Sequence, residues 1–289
     1  MSKKRDVELV VLSDIHLGTY GCHAQEVFRY LKSIRPKRLV LNGDIIDMWQ
    51  FRKSYWPRPH MQVIKYIAGL LTKNIPVHYL TGNQDEMLRK FAGFKLGSFR
   101  ISNKMVLNLN GKKAWIFHGD IFDVTMQHSR WLARLGAYGY DLLILINAFV
   151  NWSLKKLGYE KISLSKRVKD SVKSAAKFIN SFEKTAADIA IENKYDYVIC
   201  GHIHHPEIKK ILTEKGEVVY LNSGDWIENL TALEYNGSDW QIYRYREDKF
   251  AQSIKIPKRI NDPFDNDLIF KVLVDQFHRI NTKKSIPIH

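Results

Sequence analysis

Val7-Glu8-Leu9-Val10-Val11-Leu12-Ser13-Asp14-Ile15-His16 is an apolar run that closes on an aspartate and a histidine two positions apart. Its β-branched and aliphatic residues suit a buried strand, and the polar pair falls where that strand should end. Lys3-Lys4-Arg5 ahead of it gives a superficial likeness to a signal peptide, but the apolar run is too short and is broken by Glu8. A first core strand is the better reading. One Asp-x-His means little alone, since such tripeptides occur by chance in ordinary loops. Four further phrases follow: Gly43-Asp44, Gly82-Asn83, His118-Gly119-Asp120 and Gly201-His202-Ile203-His204. Four of the five phrases come after apolar β-rich runs, an ordered set that is hard to explain without a metal centre.

Short apolar runs closed by Gly, Ser, Asn or Asp occupy residues 7–12, 39–41, 77–80, 114–117, 197–200 and 218–221, with helical stretches at about 25–33 and 61–72 between the first three. The alternation predicts a βαβ start with parallel central strands, apolar on both faces because both are covered. Asn110-Gly111 and Asn236-Gly237 are two-residue turn signals between strand-like runs and predict two hairpins that extend the sheets. The expected fold class is α/β: a pair of packed sheets flanked by helices, with the polar phrases on loops at the carboxyl ends of strands, where open α/β sheets bind ligands.

Residues from about 124 to 193 break this pattern and read as three inserted helices, 126–136, 138–157 and 164–193. The middle one carries Leu142-Leu143-Ile144-Leu145-Ile146, Ala148-Phe149-Val150 and Trp152. That run is about half of the roughly 20 residues needed to span a bilayer. A lysine-rich stretch follows, in which Lys166, Lys169 and Lys173 are spaced to share one helix face. Two readings stand: a cap over an amphiphilic anion, or a helical hairpin packed on the core with a solvated basic face. The expected organisation is one domain over residues 1–250, including this insert, and a basic tail over 251–289 with one amphipathic helix at 267–280.

A chain of 289 residues with 45% hydrophobic residues can bury a full core. Its net charge of +15 favours an anionic partner: nucleic acid, an acidic membrane surface or a phosphorylated substrate. Two cysteines, Cys22 and Cys200, imply no disulfide framework and suit a reducing cytoplasm, with Cys200 expected as a buried strand residue.

Asp14, His16, Asp44, Asn83, His118, His202 and His204 offer oxygen and imidazole donors without thiolate, a set that suits Mn²⁺, Fe²⁺ or Zn²⁺ better than Ca²⁺. Seven donors exceed the needs of one ion and fit two that share a bridge, for which the Asp44 carboxylate is the natural group. Such a pair activates water near neutral pH and clamps the entering and leaving oxygens of a phosphorus centre.

Asp-x-His, Gly-Asp, Gly-Asn, His-Gly and Gly-His-x-His in this order resemble the calcineurin-like metallophosphoesterases, over roughly residues 7–245. The resemblance implies a four-layer α/β/β/α sandwich of two mixed sheets with a helical insert. It also implies one metal on Asp14, His16, Asp44 and His204 and a second on Asp44, Asn83, His118 and His202, most often Mn²⁺. Gly43-Asp44-Ile45-Ile46-Asp47, His118-Gly119-Asp120-Ile121-Phe122-Asp123, the insert, and Gly201-His202-Ile203-His204-His205-Pro206 are similar to the bacterial UDP-2,3-diacylglucosamine pyrophosphatases. That likeness implies hydrolysis of UDP-2,3-diacylglucosamine, or a similar nucleotide-linked lipid, to UMP and a lipid monophosphate in lipid A biosynthesis. It also implies a cytoplasmic enzyme peripheral to the inner membrane. Asp44, Asn83 and Gln84 would serve catalysis; Asn83, Gln84, Asp123, Lys166, Lys169, Lys173 and His202 would meet substrate.

Gln84 departs from the family, in which most members place His after Gly-Asn and the pyrophosphatase branch places Arg. Glutamine cannot deliver a proton. A pyrophosphate needs none, because its leaving group is a phosphate monoester with a second pKa of about 6. A natural pyrophosphatase variant, an introduced replacement and a relative with weakened catalysis are the three readings of Gln84. A general phosphodiesterase or nuclease is the rival enzyme, opposed by the apolar insert and by the absence of an aromatic-basic repeat.

Among neighbouring residues, Asp47 and Asp120 are expected to orient ligand imidazoles or cap helices. Asp85 and Glu86 are expected to open a helix, where acids are stabilising. His128 and Arg130 could meet phosphate or face solvent, and His205 is expected to shape the loop before Pro206. The remaining histidines, His60 among them, receive no role.

Overall fold

A computed structural model describes residues 4–48, 56–123 and 165–256, with the backbone alone for residues 123 and 165–174. The insert helices expected at 126–136 and 138–157, His128, Arg130 and the tail helix at 267–280 lie outside the described residues.

The strands are β1 (Arg5–Val7), β2 (Leu9–Leu12), β3 (Ile34–Pro36), β4 (Leu39–Asn42), β5 (Val77–Leu80), β6 (Lys95–Leu96), β7 (Phe99–Ser102), β8 (Lys104–Leu109), β9 (Lys112–Phe117), β10 (Tyr197–Cys200), β11 (Glu207–Thr213), β12 (Gly216–Asn222), β13 (Thr231–Tyr235) and β14 (Trp240–Arg244). The helices are α1 (Ala24–Ser33), α2 (Arg58–Leu71), α3 (Ser165–Glu192) and the short α4 (Lys249–Ser253). Seven strands form one sheet in the order β14-β13-β2-β4-β5-β7-β6, and five form a second in the order β11-β12-β10-β9-β8. As the βαβ pattern requires, β2, β4, β5 and β7 run parallel, with Val11 beside Val40 and Leu41 beside Tyr79.

Side-chain alternation along each strand creates three apolar layers. Val10, Leu12, Leu39 and Leu41 face α1 and α2, packing with Val27, Leu31, Val63 and Ile67. Leu9, Val11 and Val40 face the other way, onto Ala114, Ile116, Ile199 and Leu221 of the second sheet. The outer face of that sheet presents Trp115, Val198, Cys200 and Tyr220 to Phe182, Ala186 and Ala190 of α3, spaced four apart on one helix face. Helix, sheet, sheet and helix are thus stacked as four layers. Cys200 is buried as expected.

Two local features differ from expectation and one matches it. The first apolar run splits: Glu8 separates β2 from β1, which pairs with β3 in a small sheet of its own. Asn110-Gly111 does close the β8–β9 hairpin by a two-residue turn, with both residues at positive φ, 53° and 88°. Asn236-Gly237, by contrast, belongs to a four-residue loop between Tyr235 and Trp240, because the Asn236 side chain accepts the Ser238 and Asp239 amides and organises a wider turn. Among the described residues, no helix is long and apolar enough to cross a membrane.

His60 on α2 is buried and accepts the Gly18 amide on Nδ1 at 2.9 Å, which fixes the loop just past His16. Burial pushes its imidazole down from 6.5 to about 4. The folded chain therefore binds fewer protons than the unfolded chain in that window, so the stability is present above it and is lost as pH falls through it. Denaturant titrations between those pH values are expected to cost the natural chain on the order of 2 kcal/mol more than His60→Gln. Equal losses would show that His60 stays accessible to protons in the fold.

Candidate metal centre

Each polar phrase sits immediately past the end of a strand: Asp14 and His16 after β2, Asp44 after β4, Asn83 after β5, His118 after β9, and His202 and His204 after β10. The chain leaves these strands by left-handed turns. Asp14 (φ 51°), His16 (55°), Asp44 (54°), His202 (68°) and His204 (54°) all have positive φ, a conformation that non-glycine residues adopt uncommonly and that clusters at functional sites. Backbone bonds lace the loops together: Asp14 N donates to Gly43 O, His16 N to Asp44 O, and Gly201 N to His118 O.

Two clusters result. Donor atoms of Asp14, His16 and His204 lie within 4.8 Å of one another, and so do those of Asp44, His118 and His202. His204 Nε2 is 3.2 Å from Asp14 Oδ1, His118 Nε2 is 3.5 Å from Asp44 Oδ1, and His118 Nε2 reaches Asp14 Oδ1 at 4.0 Å, which joins the two clusters. Six of the seven expected donors are therefore brought together. The seventh, Asn83, is half-buried on the loop beside Asp44, and the neighbouring Gln84 donates its backbone amide to Asp44 Oδ1 at 2.8 Å. Close approach explains two glycines. A Cβ on Gly43 would lie 2.4 Å from the His118 ring, and one on Gly82 would lie 2.2 Å from Asp44 Oδ1.

The donor set fits divalent cations by its own geometry. Asp14 Oδ1, His16 Nε2 and His118 Nε2 are buried without a hydrogen-bond partner, a costly state for polar atoms unless a ligand satisfies them. His118 Nδ1 donates to the Asn42 carbonyl at 2.8 Å, which orients the ring and turns Nε2 toward the clusters. Charge points the same way. Burial alone would raise the Asp14 carboxyl, but the His204 and His118 imidazoles outweigh it and hold Asp14 well below the usual carboxylate range. Asp44, likewise buried, is held down by His118. Burial opposes protonation of His204, yet Asp14 raises it to about 9; Asp44 and Asp14 raise His118 well above an ordinary imidazole. Protons held this way are what a divalent ion displaces on binding.

The surrounding residues correct parts of the reading from sequence. Asp85 does not stabilise a helix terminus with its side chain. It is fully buried, and its carboxylate accepts Gly82 N at 2.6 Å, Ile45 N at 3.0 Å and the Tyr79 hydroxyl at 2.6 Å, clamping the Asp44 loop to the Asn83 loop. Burial and the Asp44 carboxylate push it up to about 6. Asp47 does stand beside an imidazole, 3.7 Å from His16 Nδ1, whereas Asp120 pairs with Arg89 instead. His205 is exposed and faces Glu207 at 3.7 Å; Glu183 and Glu207 nearby both pair with Lys209.

Asn42, Asn222, Asp225 and Asn229 were not singled out in the sequence. Asn42 ties the Asp44 strand to the Phe117 carbonyl, Asn222 holds the Gly201 carbonyl, and Asn229 holds that of His204. Asp225 accepts the Ile227 amide, and Trp226 N donates to Asp14 O. The available signal was Asn222-Ser223-Gly224-Asp225, a sixth polar phrase at a strand end. Asp123 ends the short turn after Gly119, and Lys166, Lys169 and Lys173 lie on the first turns of α3; only their backbone is described.

The calcineurin-like phosphoesterase model matches residues 7–206. The chain is 28% identical to the UDP-2,3-diacylglucosamine hydrolase of Blochmanniella pennsylvanica over 80% of this chain and 92% of that protein. It is 22% identical to the protein of the same name from Aliivibrio fischeri, over 82% of this chain and 98% of that one. Among solved structures it is similar to Yfce, a phosphoesterase from E. coli, at 15% identity and a TM-score of 0.38, covering 78% and 86% of the two chains. With five motifs in order, two clusters of donor side chains and a family match over most of the folded core, this chain belongs to the calcineurin-like phosphoesterases.

Proposed function

We propose that the chain is a two-metal pyrophosphohydrolase that cleaves UDP-2,3-diacylglucosamine, or a similar nucleotide-linked lipid, to UMP and a lipid monophosphate at the cytoplasmic face of a bacterial inner membrane. The observation that carries this reading is the pairing of Asp14, His16 and His204 with Asp44, His118 and His202 in two adjoining clusters. The substrate class is supported by the names of two relatives matched over 92% and 98% of their own length.

One ion would rest on Asp14, His16, Asp44 and His204 and the other on Asp44, Asn83, His118 and His202, with Mn²⁺ favoured and Fe²⁺ or Zn²⁺ also compatible. Such a pair supplies an activated water near neutral pH and a clamp on phosphoryl oxygens. The chain's own residues do the rest. Gly82 and Gly43 let the Asn83 and His118 loops close on Asp44. Asn83 and Gln84 present amide donors to the phosphorus oxygens, where developing charge is stabilised. Gln84 moves no proton, and a UMP leaving group requires none. Asp123, Lys166, Lys169, Lys173 and His202 are proposed to hold the nucleotide and lipid phosphates.

Two outcomes test this reading. Gln84→His should change UMP release from UDP-2,3-diacylglucosamine by less than about tenfold, yet speed a phosphodiester with an alkoxide leaving group by about 10²- to 10⁴-fold. If the natural chain releases no UMP in Mn²⁺ while it cuts a phosphodiester efficiently, the substrate assignment fails. Asp85→Asn keeps the size of a side chain that orients the Asp44 and Asn83 loops and should lower metal affinity or kcat by about 10- to 100-fold. Unchanged affinity and kcat in a folded variant would remove Asp85 from the metal centre's support.

A further inference from the structure

The chain from residue 87 to residue 119 contains seven Lys or Arg and no Asp or Glu. In the fold this stretch builds one side of the sandwich. The β6–β7 hairpin is the edge of the seven-stranded sheet and β8 is the edge of the five-stranded sheet, with Asn103 between them anchored to Thr81. The hairpin turns tightly at Gly97-Ser98, since Leu96 pairs directly with Phe99 and Lys95 with Arg100.

Edge strands are ordinarily guarded by charge and kept short of exposed apolar side chains, because an open edge invites pairing with another chain. Here Lys95 supplies the guard, but Phe94 and Leu96 on either side of it are 46% and 66% exposed. They are two positions apart in an extended segment and so share a face. Lys95 and Arg100 pair directly and share the opposite face of the hairpin, Lys90 and Lys104 are exposed in the same stretch of chain, and Lys104 pairs with Phe117 at the strand end that carries His118. Exposed bulky apolar side chains on one face of an edge hairpin and cations on the other, with no carboxylate in the same stretch of chain, suit edge-on entry into the interfacial zone of an anionic bilayer: acyl boundary for the rings and methyls, phosphate for the cations.

We propose that this edge, Phe94 and Leu96 with Lys90, Lys95, Arg100 and Lys104, is a docking surface for anionic lipid bilayers. It takes from the proposed function only that the substrate is borne by a membrane.

Sedimentation of the full chain with substrate-free vesicles tests the surface separately from the chemistry. Vesicles of phosphatidylcholine with phosphatidylglycerol should carry the protein down, and phosphatidylcholine alone should carry much less. Each cation near an anionic surface contributes roughly a fivefold gain, so Lys95→Gln with Arg100→Gln should weaken partitioning about 25-fold. Leu96→Asp with Phe94→Ser should weaken it as well, while the melting temperature of the charge variant stays that of the natural chain. Equal partitioning of the natural chain and the charge variant overturns the proposal. So does the finding that single-stranded DNA binds this edge more tightly than vesicles do and loses that binding in the same variants. Vesicle binding without any UMP release would sustain the surface and refute the substrate; UMP release without vesicle binding would do the reverse.

Discussion

Asp14 and Asp44 are ionised carboxylates at essentially zero exposure, set in loops between two apolar sheets. A buried charge is tolerated only when other groups stabilise it, and an unpaired one would cost several kcal/mol. Here the stabilising groups are the imidazoles of His118 and His204, at 3.5 Å from Asp44 and 3.2 Å from Asp14 respectively. The same imidazoles gather with the carboxylates as cation donors. The architecture of the chain can be understood as the means of bringing five strand ends together around these two carboxylates.

The parallel strands make that convergence possible. β2, β4 and β5 all end on the same side of the first sheet, and the parallel pair β9 and β10 ends beside them in the second. The apolar layer between the sheets, with Val11, Val40, Ile116 and Ile199, holds the two sets of ends at a fixed separation. Five donor residues then turn left-handed, at a cost of roughly 1 kcal/mol each. That strain is sustained by a packed core and by the backbone bonds that lace Asp14 to Gly43 and Gly201 to His118. Asp85 performs a similar task with its side chain, accepting the Gly82 and Ile45 amides from two loops and the Tyr79 hydroxyl from β5.

The parts of this arrangement most legible in sequence were those set by local pattern. The runs 39–41 and 197–200 alternate their side chains between two apolar layers and end on polar phrases, so strand, layer and strand end could all be read from them. Asn110-Gly111 was legible because a two-residue turn demands positive φ at both positions. Asn236-Gly237 misled because the Asn236 side chain can also organise a wider loop, and only the register of β13 on β14 decides between the two. Asp85 was misread for a related reason: an acid at the head of a helical segment has a stabilising local role, and its turn inward is decided by Tyr79 and Ile45, six and forty residues away. Asn42, Asn222 and Asn229 act through bonds to carbonyls of distant loops, which no periodicity announces.

Metal stoichiometry tests the central claim most directly. The chain, stripped by chelator and reconstituted with Mn²⁺, should hold two ions per chain by elemental analysis, fewer than two in Asp44→Asn, and should release protons as the ions bind. No retained transition ion in the folded natural chain, or an undiminished content in Asp44→Asn, would contradict a pair of ions joined through that carboxylate.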